Sequence, residues 1–169
     1  MRPTSLVSRS FLLAVLFAAL ALPAAAQSYE GIVNGDFVRA HFTLKDGEVV
    51  KFEEFKTKTF PTATVVWGKP EKGDNMRIKA GVAPSGSKFM VVFADLKNEK
   101  EFERILATYK DGETVTGVGR RAVWSAKWKQ ISVLLSPKLA IHVHLDPPGT
   151  DDLKQSLITL AKAVAKRLR

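Results

Sequence analysis

The stretch Gln130–Asp146, QISVLLSPKLAIHVHLD, constrains the fold more than any other part of this chain. Apolar and polar residues alternate on both sides of Ser136-Pro137-Lys138, with the period of two that a half-buried strand produces. Register then follows from parity, because a slip of one residue exchanges the two faces of a strand. A three-residue turn sets Leu135 opposite Leu139, Val133 opposite Ile141 and Ile131 opposite Val143. A two-residue turn would set Leu135 against Ala140 and mismatch every apolar partner. Upstream, Val123-Trp124-Ser125 connects to Trp128–Leu135 through Ala126-Lys127, and a two-residue loop there pairs Trp124 with Lys129 and Ala122 with Ile131. The meander 121–146 is thus expected to carry an apolar face of Ile131, Val133, Leu135, Leu139, Ile141, Val143 and Leu145. Its opposite face collects Arg121, Trp128, Gln130, Ser132, His142, His144 and Asp146, with His142 across from Ser132 and His144 across from Gln130.

Two helices are expected to cover such a sheet. Asn98 followed by Glu101 is a capping-box pattern, and Phe102, Ile105, Leu106 and Tyr109 come next at helical spacing. At the C-terminus Leu153, Leu157, Leu160, Ala161, Val164 and Leu168 form one stripe. Thr150 or Asp151 is placed to cap that helix. Asp151 and Asp152 suit the positive end of its dipole, and Lys162, Lys166, Arg167 and Arg169 the negative end. Earlier segments read as short strands. Asn34-Gly35 between Ile32-Val33 and Phe37-Val38 is a two-residue hairpin signal. A strand with Val38, Ala40, Phe42 and Leu44 on one face should come after it, and Asp46-Gly47 should turn the chain into Val50 and Phe52. Thr62–Trp67 is a further β-rich run. Met76–Val82 and Phe89–Phe93 read as a hairpin around Pro84-Ser85-Gly86. The expected class is α+β: a mainly antiparallel sheet of short strands packed by two amphipathic helices, the second at the C-terminus.

The first residues read as a targeting segment. Arg2 and Arg9 precede the apolar run Phe11–Leu22, whose 12 residues are too few to span a bilayer. Pro23 and Ala24-Ala25-Ala26 then supply the break and the small residues of a signal-peptidase site. The expectation is a signal peptide over 1–26, cleaved after Ala26, then a single domain over 27–169 with no transmembrane segment, placed in the periplasm or secreted. No cysteine is present, which excludes thiolate chemistry and a lipid-modified cysteine. The chain carries a formal charge of +9, of which +7 remains without Arg2 and Arg9. That charge suits anionic partners such as lipopolysaccharide, anionic lipid, acidic glycan or DNA. Of these an envelope component, or another periplasmic protein, is expected rather than nucleic acid. The lysines are scattered, so plain solubility is the competing explanation.

Enzyme motifs are wanting. Gly81–Lys88 lacks the spacing of a phosphate-binding loop, and no G-x-S-x-G elbow occurs. Gly117-Val118-Gly119 lacks the third glycine of a dinucleotide fingerprint. Glu53 and Glu54 are adjacent, so on a strand they point to opposite faces and cannot act as an acid–base pair. No catalytic residue and no cofactor is expected. The H-x-H pair His142/His144 raises a metal site as an alternative, with Asp146 or the distant His41 as third ligand, because zinc takes three or four protein ligands. A purely electrostatic binder of anionic polymer is a second alternative.

Thr116-Gly117-Val118-Gly119, followed by Arg120-Arg121-Ala122-Val123-Trp124, a hairpin and an amphipathic C-terminal helix, resembles the G-V-G-D-x-A turn into a strand of small uncharacterised bacterial envelope proteins and lipoproteins. The likeness covers about the last third of the chain, with Arg120 at the Asp position. It implies a sheet-and-helix domain of the cell envelope in which the glycines serve backbone turning. The reading that unites these features is a non-enzymatic binding domain of the envelope, using the Arg121/Trp128/His142/His144 face.

Overall fold

The structure, a computed structural model, describes residues 28–45, 47–57, 60–68, 86–146 and 152–168. Seven antiparallel strands form one sheet: β1 Val49–Phe55, β2 Thr62–Gly68, β3 Ser87–Asp95, β4 Glu113–Val115, β5 Arg121–Ser125, β6 Gln130–Ser136 and β7 Leu139–Asp146. Their order across the sheet is β1-β2-β3-β7-β6-β5-β4. The helices are α1 Gly35–His41, α2 Glu99–Leu106 and α3 Leu153–Arg167, preceded by a 3-10 turn at Tyr29–Gly31. The chain is α+β, and α3 is the C-terminal element. Among the described residues no helix is long and apolar enough to cross a membrane. The segments 1–26 and Met76–Val82, the turn residues Asp46 and Pro84-Ser85, the capping candidates Thr150 and Asp151, and Arg169 lie outside the described residues.

Alternation dictates a two-sided sheet. On one side Ala63, Val65, Phe89, Val91, Phe93, Ile131, Val133, Ile141, Val143 and Leu145 are all buried. The stripe Leu157, Leu160, Ala161 and Val164 of α3 closes over them, with Phe37 and Val38 of α1 and Tyr29 of the 3-10 turn. Tyr29 stacks on Phe93 with ring centroids 3.7 Å apart, and Phe37 stacks on Phe89 at 5.3 Å. Each fully buried aliphatic or aromatic side chain here contributes about 1.5–3 kcal/mol. The cap of α3 is Asp152 rather than Thr150 or Asp151: its side chain accepts from Gln155 N at 2.9 Å, so the helix starts a residue or two later than expected.

The other side is not the open, polar face that the sequence suggested. Phe102 and Leu106 of α2 pack with Ala94, Leu96, Val123, Leu134 and Ala140 into a second, smaller core. α2 begins as expected at Asn98, whose side chain accepts from Lys100 N, while the Glu101 carboxylate accepts from Lys97 N at 2.7 Å. Arg121 of β5 and Arg120 just before it pair with Glu103 and Glu99 of the helix.

Three local expectations are corrected. Asn34-Gly35 starts a helix instead of turning a hairpin: Asn34 Oδ1 accepts from Phe37 N at 2.9 Å, an N-cap bond. His41 then stacks on Phe37 one turn earlier and donates from Nδ1 to its carbonyl at 2.8 Å. These contacts override the alternating pattern, and the Val38–Leu44 strand does not form. The β5–β6 loop has four residues rather than two, so Trp124 faces Ile131 and Ala122 faces Val133. A shift by two keeps every side chain on its face. Between β6 and β7 the pairs Val133–Ile141 and Ile131–Val143 form as expected, but the turn is the two-residue Pro137-Lys138. An irregularity between Leu134 and Ser136 supplies the extra residue that parity demands.

Candidate functional site

β6 and β7 place Gln130 across from His144 and Ser132 across from His142. Ser132 is fully buried and His142 is 7% exposed, because Tyr109, three residues beyond α2, lies over them. Gln130 Nε2 donates to Tyr109 Oη at 2.5 Å, Tyr109 Oη lies 3.0 Å from Ser132 Oγ, and Ser132 Oγ lies 2.8 Å from His142 Nδ1. One direction satisfies the whole chain: glutamine donates to tyrosine, tyrosine to serine, and serine to the ring nitrogen of a neutral imidazole. Burial holds His142 in that neutral state, pushing its pKa down to about 4. The serine–histidine contact is therefore a structural tie. Its hydroxyl is closed to solvent, and its imidazole is too weak a base to activate it near neutral pH.

The remaining candidates separate. His144 is half-buried, Asp146 is exposed, and Arg121 is held by Glu103. Among the described residues no group of three histidine, cysteine or acidic side chains comes together to hold a metal. His41 is engaged with Phe37 instead. The large apolar candidate, Trp128, stays outward, 53% exposed on the β5–β6 turn.

That turn is built rather than loose. Asp111 reaches across from the loop after α2, accepting from Ser125 Oγ at 2.8 Å and from Lys127 N at 2.7 Å. Ser125 Oγ in turn accepts from Trp128 N at 3.2 Å, and Lys129 N donates to Ala126 O at 3.2 Å. The hydrogen bond from the Lys127 N–H, and next the Ser125 hydroxyl, lower the Asp111 pKa, so the clamp is a carboxylate at neutral pH. Lys129 has φ +48°, the one non-glycine among the described residues in the left-handed region, where an L side chain is disfavoured. Such strain persists only where surrounding bonds hold it. The Tyr109 ring stands behind, its centroid 6.5 Å from that of Trp128. Lys110, Lys127 and Lys129 are all exposed.

No protein family, curated protein or solved structure matches this chain.

A second cationic place lies on the far side of the sheet. Gly117, Val118 and Gly119 border an open cleft of about 350 Å³ with Lys162, Ala165 and Lys166 of α3. Gly119, φ +59°, is required there for packing: a Cβ would stand 2.6 Å from Leu134 O. Trp128 was singled out from the sequence. Tyr109, Asp111, Lys127 and Lys129 were missed as partners, since Tyr109 read as part of a helical stripe, Asp111 and Lys127 as loop, and Lys129 as a strand residue opposite Trp124, where the structure has it in the turn. The one signal for them was Lys-Trp-Lys itself, an aromatic between cations at a turn.

Proposed function

We propose that the chain is an exported, non-enzymatic domain of the bacterial cell envelope that binds an anionic envelope component through the Trp128 turn. The observation that carries this reading is a large aromatic side chain held outward between two lysines by a dedicated carboxylate clamp. Tryptophan offers apolar area to a sugar ring or lipid chain, and its two χ angles lose little freedom on binding. Lys127 and Lys129 add attraction to phosphate or carboxylate groups. The Arg2/Arg9–Phe11–Ala26 pattern supports export, and the net positive charge supports an anionic partner.

The chain's own fluorescence tests it. Of its three tryptophans, Trp67 and Trp124 are buried, so external quenching reports on Trp128. Titration with lipopolysaccharide should shift the emission to the blue and protect it from iodide. Trp128→Ala should remove both changes, and Lys127→Ala with Lys129→Ala should weaken binding and flatten its salt dependence, because surface charges are screened over about 8 Å at physiological salt. Binding of equal strength by Trp128→Ala would overturn the proposal.

A further inference from the structure

We propose that β1 is a dimerisation edge, and that its partner is a second copy of this chain paired antiparallel about Phe52. The two edges of the sheet differ. β4 is three residues long, and its Glu113 is occupied by Lys154 of α3. β1 is seven residues long and pairs only with β2 among the described strands. A long unpaired edge is a template for another strand unless something blunts it.

The sequence of β1 is complementary to itself. Antiparallel pairing centred on Phe52 sets Lys51 of each copy directly across from Glu53 of the other, twice over by symmetry. Both residues lie on one face of the strand, across from Val66 and Thr64 of β2. Both are half-buried, and neither has an ion-pair partner among the described residues. A residue-centred two-fold works whichever residues of β1 turn their N–H and C=O outward, since antiparallel strands alternate hydrogen-bonded and non-hydrogen-bonded pairs. The same patch meets itself, the isologous contact of a closed dimer. At the end of this edge stand Phe55, 71% exposed, and Phe60, 47% exposed, two of the three large hydrophobic side chains that remain outward among the described residues. Joining two β1 strands makes one continuous sheet of fourteen described strands, twice the seven among the described residues of one chain.

Charge swaps test the register. The chain without residues 1–26 should sediment as a dimer, in an equilibrium that weakens with salt. Lys51→Glu places two acidic side chains at positions 51 and 53, and Glu53→Lys places two basic ones there. Each variant should dimerise about tenfold or more weakly, as two like-charged cross-strand pairs replace two attractive ones. Mixing the two variants should restore dimers, now mixed, and so should the double swap within one chain. Circular dichroism should show each variant folded, since both positions are partly solvated. A second probe uses the absence of cysteine. Lys51→Cys with Glu53→Cys should oxidise to a covalent dimer, because i and i+2 on one strand lie too far apart to bridge within a chain. A wild-type chain that stays monomeric overturns the proposal. So does a dimer indifferent to both swaps, or variants that fail to recombine on mixing.

Discussion

His142 shows how one buried side chain sets a pH response. Its pKa is about 4 when folded, against a free value of about 6.5. Between those values the unfolded chain binds the proton and the folded chain does not, so stability falls as pH drops from about 6.5 to about 4 and is unaffected above that window. The loss is on the order of 3 kcal/mol. His142→Gln should remove this slope while costing about 1–3 kcal/mol at neutral pH, because Ser132 then loses a well-placed acceptor. Urea titrations of both proteins at several pH values should therefore converge in acid; parallel curves would show that His142 does not carry the effect. At the same scale, Asp111→Ala should free the Trp128 turn. Time-resolved fluorescence anisotropy should decay faster, with the buried Trp67 and Trp124 as internal controls. The two residues Ser132 and His142 also mark a limit of legibility. The face they share could be read from parity alone. Their burial could not, because the cover comes from Tyr109, and nothing local shows that a loop residue will fold back over a strand more than twenty positions away.

Among the elements, α1 is the most informative departure. Asn34-Gly35 has the composition of a tight turn, but the same asparagine is also a strong helix cap, and only the residues after it decide between the two. Phe37 decides it here, fully buried against Phe89 with the Arg167 guanidinium 4.9 Å above its ring. Arg167 also donates to Ile32 O at 2.9 Å, so the end of α3 and the segment before α1 hold one another. Asn34→Ala should cost about 1 kcal/mol and Asn34→Gly only a few tenths, by thermal or urea denaturation. Full stability retained in both variants would show that the cap bond to the Phe37 N–H contributes nothing. α2 and α3 were legible because each carries an apolar stripe; the cap Asn98 was legible as well, whereas that of α3 is Asp152 and not Thr150 or Asp151. The strands β6 and β7 were legible from such a stripe at period two, and β2 and β3 as β-rich runs, although β3, expected in a hairpin with Met76–Val82, is paired on its two sides by β2 and β7. Loop lengths were not: β5–β6 gained two residues and β6–β7 traded one turn residue for an irregularity in β6. Parity constrains a loop only to odd or even: the β5–β6 change keeps it, and in β6–β7 the irregularity in β6 restores what a two-residue turn alone would break.

For the whole molecule, one sheet serves two cores. Alternate residues of β6 enter the large core, Ile131 and Val133, and the small one, Leu134. Neither core can be emptied without exposing strands that support the other, so unfolding should be a single transition. Phe102→Ala in the small core and Leu157→Ala in the large one should each cost about 2–5 kcal/mol. Fluorescence and far-ultraviolet circular dichroism should give coincident denaturation curves in both. A variant with Phe102→Ala that loses α2 first, in a separate early step, would show the small core to be an independent unit. The sequence pointed to the sheet and to both helices, yet it left one face of the sheet bare, because the stripe of α2 does not say which side of the sheet it will take.

The strand order also dictates a route. β4 to β7 succeed one another as neighbours through short connections, whereas β3 meets β7 across the chain, with Asp95 beside Leu139 and Lys88 beside Asp146. Closing that seam brings together segments more than forty residues apart, a loss of chain entropy that local turns do not incur. The C-terminal meander should therefore form early, and docking of β3 should limit the rate of the whole reaction. Conservative truncations along the seam, Val91→Ala and Val143→Ala, should slow refolding in stopped-flow experiments. A truncation at the outer strand, Phe52→Ala, should chiefly hasten unfolding.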